Sequence, residues 1–367
     1  MQFLATCNPG LEGVAKREVK KLVNRKAQKL YEGALIFKGK HADMFRLNYL
    51  SRTLHRVMIL LSHGSFRDLF DLYKQIKKVD FARYISTEQS FAIRASRVGE
   101  HDFTSIDVAR FVGQAVIDGF KEAAGKRLKV NLDNPDVIFR AYVRDWNYFF
   151  ALDTTGENSL HKRWYRVAKV HAPLKSTIAA SMIMLSGFKQ NEYLLDPFCG
   201  CATIPIEACL FAKNSPPNQN RGFAFEKFKF LDMGKWERFK KKVKREERDF
   251  RGKIVGVDIK PGAIFASRDN LKKAGLENCV EIRRGDAREI DLSCDRLVTD
   301  LPYGIRTSPK GLSELYKKFF KNLKKAQFKR AVIITTRKDL IKKHCKFEIK
   351  REIKVKYGDL LAHVFVL

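Results

Sequence analysis

What the 367-residue chain lacks narrows its possibilities before any motif is read. Its seven cysteines, at positions 7, 199, 201, 209, 279, 294 and 345, are odd in number and form no C-x-x-C pair. Neither a disulfide framework nor a structural zinc site is expected, no metal ligands are assigned, and the thiols point to a reducing cytoplasm. The stretch from Met1 to Gly10 has no basic-then-apolar layout of a signal peptide. No apolar run approaches the ~18–20 residues that a bilayer span takes, so a soluble, cytoplasmic chain without a membrane partner is expected. No segment repeats. Acidic residues are scarce as well: 41 Asp and Glu face 72 Lys and Arg, a net charge of +31. Such a field draws polyanions, and nucleic acid is the simplest partner. A Lys-rich thermophile surface is the alternative, but such surfaces enrich Glu alongside Lys. With 45% hydrophobic and 11% aromatic residues the chain is globular, and it is long enough for two or three domains.

The pattern along the chain changes character near residue 175. Before it, the apolar runs Gln2 to Thr6 and Ala34 to Lys38 alternate with the helical stretches Leu11 to Val23 and His41 to Leu50, an α+β unit over residues 1–64. A second unit, 65–155, combines a helical pattern from Ser65 to Tyr84, a strand from Ser90 to Ser96, a helix from Ser105 to Ala124, and strands at Val137 to Arg144 and Tyr148 to Asp153. Residues 156–175 read as a connector with the basic clusters His161-Lys162-Arg163 and Arg166 to Lys169. From 176 to 367 strands and helices alternate: Tyr193 to Asp196, Lys253 to Asp258, Val280 to Arg283, Arg296 to Thr299 and Ala331 to Thr335 are strands, and Thr203 to Lys213, Pro261 to Ala274 and Leu312 to Leu323 are helices. Two closing strands, Phe347 to Val355 and Leu360 to Val366, have no long helix between them and predict an antiparallel pair. The fold class is therefore α/β, a doubly wound sheet with its ligands at the carboxyl ends of the strands. Asn214 to Gly252 interrupts the alternation with aromatics among basic residues. It is either a helix packing its aromatics inward or a nucleic-acid contact surface.

Four strand ends in succession carry an acid: Asp196, Asp258, Asp286 and Asp300. Any one could be a helix cap or turn residue; the row is harder to explain that way. Asp196-Pro197-Phe198-Cys199-Gly200-Cys201-Ala202-Thr203 follows a strand and opens a helix, so free backbone N–H groups can meet a cofactor's polar tail. Its single glycine, Gly200, is not the G-x-G-x-x-G of a dinucleotide site. Asp258 can accept both hydroxyls of a ribose, and Asp286 an adenine amino group. Asp300-Leu301-Pro302-Tyr303 is an acidic-X-Pro-aromatic turn that can accept protons from a planar amine while the ring covers the base carrying it. Thiolate attack on a cytosine ring is the competing chemistry, but Asp300 to Arg306 contains no cysteine.

On these motifs the chain resembles the THUMP-domain class I S-adenosylmethionine-dependent tRNA guanine-N2 methyltransferases, most closely the archaeal group that methylates guanosine 6. Phe3 to Glu12 is similar to the family's ferredoxin-like start, Phe91 to Arg166 to its THUMP domain, and His171-Ala172-Pro173-Leu174-Lys175 to the entry of its catalytic domain. The resemblance implies a Rossmann-like, seven-stranded methyltransferase sheet with an antiparallel C-terminal hairpin. It implies S-adenosylmethionine, leaving as S-adenosylhomocysteine, beside Asp196, Phe198, Gly200, Thr203, Asp258, Ile259, Asp286, Ala287 and Asp300. It further implies that Asp300, Leu301, Pro302 and Tyr303 hold the target amine, and that Arg94, Arg97, His161, Lys162 and Arg163 meet RNA. Cys201 and Ala202 depart from the family's small residues, and Ala202 needs a compatible φ. The substrate implied is tRNA, held by its acceptor stem and 3′ end by a monomeric enzyme. Another tRNA position such as 10, ribosomal RNA, or a non-catalytic RNA-binding role remain the alternatives.

Overall fold

The first half folds around alternating apolar strands. In chain order its elements are strand Gln2–Cys7 (β1), helix Glu12–Val23 (α1), strands Gln28–Tyr31 (β2) and Ala34–Lys38 (β3), helix His41–Leu50 (α2), strand Leu54–Ser65 (β4), helix Leu69–Lys77 (α3), strand Ser90–Val98 (β5), helix Ser105–Ala124 (α4), and strands Lys129–Val130 (β6), Val137–Arg144 (β7) and Asn147–Asp153 (β8). They form one eight-stranded sheet in the order β2-β3-β1-β4-β8-β7-β5-β6. This is a computed structural model, and it describes residues 1–170, 173–304, 309–358 and 360–367. His171 and Ala172 of the expected domain entry, and residues 305 and 306 of the segment read for its lack of cysteine, lie outside the described residues.

Strand β4 ties the two N-terminal units together. At 12 residues it is long enough to pair antiparallel with β1 at one end and β8 at the other. The expected border at residue 64 therefore meets a strand that both units share. No strand was expected there, because the run follows α2 with no glycine or proline to mark its start. The helical pattern read over Ser65 to Tyr84 is shorter in the structure: α3, then a 3₁₀ turn at Phe81–Arg83. Helix α4 has the bounds that its caps dictate. Thr104 and Asp107 close a capping box at its start, and Gly125 ends it at φ 68°.

The second half comprises helix Ser176–Ser186 (α5), strand Tyr193–Asp196 (β9), helices Thr203–Ala212 (α6) and Met233–Arg245 (α7), strand Lys253–Asp258 (β10), helix Pro261–Ala274 (α8), strands Glu281–Arg284 (β11) and Arg296–Asp300 (β12), helix Pro309–Leu323 (α9), strand Arg330–Thr335 (β13), helix Lys338–His344 (α10), and strands Arg351–Tyr357 (β14) and Leu360–Val366 (β15). The sheet order is β11-β10-β9-β12-β13-β15-β14. β9 to β13 run parallel, and β15 is antiparallel to both β13 and β14. The class I methyltransferase topology is thus present. Strand order reverses at β9, between β10 and β12, which is where such sheets open a ligand crevice. Among the described residues no helix is long and apolar enough to cross a membrane.

The interruption at 214–252 resolves in favour of inward packing for its aromatics. Phe223, Phe225, Phe228 and Trp236 are buried in the core of the N-terminal half, beside Phe45, Phe81 and Phe91.

Candidate active site

Three of the four strand-end acids converge on one cavity of about 560 Å³ at the switch point. Asp196, Asp258 and Asp300 line it, together with Phe198, Gly200 and Thr203 of the first turn and Leu301, Pro302 and Tyr303 of the last. Asp196 is 1% exposed and accepts from Thr299 Oγ1 at 2.7 Å and from the Phe198 N–H at 3.2 Å. Burial pushes its carboxyl up to about 8, and the neighbouring Asp300 and Asp258 charges add to the rise against those two donors. Burial also raises Asp258, whose oxygens accept the Gly200 N–H at 3.1 Å and the Lys260 N–H at 2.8 Å. Asp300 is pushed up to about 7 by burial, with the Tyr303 hydroxyl, which donates to its Oδ1, opposing the shift.

The Asp300 turn is braced from below. The Leu301 N–H donates to Ile334 O of β13 at 3.0 Å. Tyr316 of α9 donates to Pro302 O at 3.0 Å and lies 2.7 Å from Thr335 Oγ1. The first turn is held by backbone conformation: Gly200 has φ 55° and Ala202, the N-cap of α6, φ 62°. Left-handed geometry costs an ordinary residue about 1–2 kcal/mol, and the buried Ala202 methyl returns about 0.8 kcal/mol of that. The departure from glycine is therefore tolerated with the turn intact.

Other expected site residues stand elsewhere. Asp286, Ala287 and Ile259 do not line the cavity. They sit on its β11 side, where the Gly285 N–H donates to Asp258 O at 3.2 Å. Asp286 is held by Arg288, whose Nε lies 2.8 and 2.9 Å from its two oxygens, and that guanidinium lowers its pKa.

The five residues expected to meet RNA form no single patch. Arg94 and Arg97, three apart on β5, point to opposite faces of the sheet. Arg94 Nε donates to Glu157 at 2.8 Å and Arg97 Nη1 to Gly99 O at 3.0 Å. Lys162 is exposed. His161 is half-buried against His55, and burial, then the cations Lys175 and Arg163, lowers it to about 4, so its ring is neutral at pH 7. Arg163 corrects the sequence reading outright. Its side chain is 0% exposed and forks onto Glu207 at 2.8 and 3.3 Å, so the guanidinium has no surface to offer a phosphate.

Sequence reasoning missed Thr299, Tyr316 and the cavity wall that Lys169, Val170, Pro173 and Leu174 build from the connector. Only the adjacency of Thr299 to Asp300 could have drawn notice to it.

The residues fit S-adenosylmethionine. Three carboxyls raised by burial in one cavity favour a cationic ligand, and Asp258 projects from the strand beside the Gly200 turn, where a ribose can be held. Among the described residues no cluster suited to a metal ion occurs.

A Rossmann-like sheet with an acid-lined switch-point cavity, joined to a separate strand-rich module, defines a class I methyltransferase with an appended recognition domain. Residues 163–363 match the family described as RMKL-like, methyltransferase domain; residues 66–153 match the THUMP domain and 2–58 the RlmL ferredoxin-like domain. The chain belongs to this RMKL-like methyltransferase family. It is 39% identical to a tRNA (guanine(6)-N2)-methyltransferase of Archaeoglobus fulgidus, across 100% of this chain and 92% of that one. It is 38% identical to the protein of the same name in Methanocaldococcus jannaschii, across 100% of both chains. A possible methylase from Clostridium difficile 630, of known crystal structure, superposes with a TM-score of 0.91 at 26% identity, covering 100% of this chain and 97% of that one.

Proposed function

We propose that the protein methylates N2 of guanosine 6 in the acceptor stem of tRNA, as a monomer. The observation that carries this reading is an intact, braced Asp300–Tyr303 turn in a chain that matches two enzymes of that name from end to end. When bound, S-adenosylmethionine supplies the electrophilic methyl group. The guanine amine shares its lone pair with the ring, so the protein's task is to turn that pair out of conjugation. The Asp300 carboxylate and the Leu301 carbonyl accept the two amine N–H bonds, and the brace from Tyr316 keeps them in position. Tyr303 exchanges its hydroxyl contact with Asp300 for stacking on the extruded base, worth about 1–3 kcal/mol against the few kcal/mol of unstacking. The departing proton passes to Asp300, directly or through water.

Cysteine chemistry is disfavoured by the same site. Cys199 is buried, and burial followed by the Asp196 charge raises its thiol well above the ordinary range, the wrong direction for a nucleophile.

The N-terminal module holds the 3′ end, as RNA recognition favours single-stranded ends. Removing the unpaired 3′ nucleotides is expected to lower kcat/KM by at least ~10-fold, the scale set by misplacing a reacting group. Changes to the anticodon arm are expected to have little effect. Steady-state methylation of the trimmed and altered transcripts checks this, and the reverse ranking would refute it.

A further inference from the structure

We infer that residues 214–252 form an arm by which the catalytic domain fixes the position of the N-terminal module, and that this arm thereby determines which nucleotide of a bound tRNA reaches Asp300. The inference rests on the activity proposed above and adds the device that sets its register.

The arm leaves the sheet at the end away from the cavity. Helix α6 begins at Thr203 in the cavity wall and ends at Ala212, about 15 Å further on at 1.5 Å per residue. Strand β10 starts from that far edge at Lys253 and returns to the cavity at Asp258. The excursion between them is covalently part of the catalytic domain, yet Phe223, Phe225, Phe228 and Trp236 belong to the core of the other half. Trp236 is 1% exposed, with its ring 5.6 Å from Phe45 and 5.3 Å from Tyr49 of α2. Phe225 lies tilted against Phe45 with ring centroids 5.1 Å apart, and Phe230 meets Tyr84 at 5.8 Å.

Hydrogen bonds secure the same arm to both N-terminal units. Phe225 N–H donates to Thr154 O at 3.2 Å, at the end of β8, and Gln89 Nε2 donates to Lys227 O at 2.9 Å, at the start of β5. At the root, Asn218 Nδ2 donates to Asn48 O at 2.9 Å and Ser51 O at 2.8 Å, while its Oδ1 accepts from Arg163 at 2.6 Å. Arg52 Nη2 reaches back to Ser215 O at 2.6 Å and Leu210 O at 3.0 Å. Glu226 stiffens the middle, accepting from Trp236 Nε1 at 2.9 Å and the Phe223 N–H at 3.1 Å.

Two domains joined by one connector are expected to move against each other unless a large hydrophobic interface stops them. Here a segment of the catalytic domain adds a non-covalent attachment, packing a buried aromatic anchor into the core of the N-terminal half. A rigid offset between the site that holds the RNA end and the cavity is what a nucleotide-counting enzyme requires. Trp236 acts through the module it anchors and touches no reacting atom, so it is a positioning residue.

The experiment compares wild type, Trp236→Ala, Trp236→Phe and the milder Glu226→Ala on two transcripts, a normal tRNA and one with a base pair inserted in the acceptor stem. N2-methylguanosine is mapped by position, S-adenosylmethionine binding is measured by calorimetry, and folding is checked by circular dichroism. Wild type should favour the normal stem by at least ~10-fold at one guanosine, since small misplacements of reacting groups carry penalties of that size or larger. Trp236→Ala should keep its cofactor affinity, lose that preference and spread label to neighbouring guanosines; Trp236→Phe should restore it. Should Trp236→Ala fail to fold, Glu226→Ala carries the same expectation. A folded Trp236→Ala or Glu226→Ala enzyme that keeps the wild-type preference and single site overturns the inference. Label at a guanosine outside the acceptor stem would overturn the position proposed above but not the arm, which is then judged by inserting the base pair beside that nucleotide. A readout without RNA separates the two further: spin labels at the exposed positions Ile106 and Lys273 should give a narrow distance distribution in wild type and a broad one in Trp236→Ala, and equal widths would again overturn the inference.

Discussion

An Asp300→Ala enzyme is expected to lose at least ~10³-fold in kcat, from a missing proton acceptor and a missing preorganised contact together, while its S-adenosylmethionine affinity stays within ~3-fold, as for an interaction made mainly in the transition state. Asp258 and the Gly200 turn remain to hold the cofactor's other parts, whereas among the described lining residues no other carboxylate belongs to the turn that carries Leu301 and Tyr303. Single-turnover methylation and calorimetry read the two effects separately, and equal loss of both would remove Asp300 from its assigned role. Asp300 also has a stability signature. Its folded pKa is raised to about 7 from 3.8, so the folded state binds the proton more tightly than the unfolded one. Its contribution is full below pH 3.8 and is lost as pH rises through about 7. Asp300→Asn removes that penalty. The variant should therefore be increasingly more stable than wild type between about pH 4 and 7, by on the order of 1–3 kcal/mol at pH 8 after allowing for partial solvent exposure. Thermal melts across that range check it, and a gap that shrinks with rising pH would contradict the burial argument.

Arg163→Met should destabilise the fold by about 3–5 kcal/mol, because it strands the Glu207 carboxylate without its partner. The guanidinium also satisfies Leu160 O, Asn218 Oδ1 and Arg52 O, and Tyr165 donates to the same Glu207 at 3.0 Å. The double variant Arg163→Met/Glu207→Leu should recover part of the loss, since replacing both partners is far cheaper than removing one. Denaturant melts measure both. A residue that neutralised a phosphate would instead lower the salt slope of tRNA binding by about 0.7–0.9 when removed. For Arg163 an unchanged slope is expected.

Arg163 also illustrates what a sequence hides. In His161-Lys162-Arg163 three basic residues look alike, but burial is decided by Glu207, 44 positions away, and no local pattern reports that. Asp286 is similar: Arg288, two residues on, engages a carboxylate that looked open to a ligand. By contrast, Asp196, Asp258 and Asp300 could be read because each ends an apolar strand, and parallel strands joined by right-handed crossovers must bring those ends to one edge. Helices α2, α4 and α8 and strands β7, β10 and β15 have the bounds that periodicity and capping residues suggested. Helix α5 was missed because it is buried on nearly every side and so shows no amphipathic period. The four-residue β2 and the seven-residue α10 are too short to carry a pattern.

The most direct test is to incubate the purified protein with methyl-labelled S-adenosylmethionine and unmodified tRNA transcripts, digest to nucleosides and map the label. Label in N2-methylguanosine at position 6 is the result expected from the Asp300–Tyr303 turn acting at a fixed offset from the 3′ end. Label in any other nucleoside, or none despite measurable cofactor binding, would contradict it.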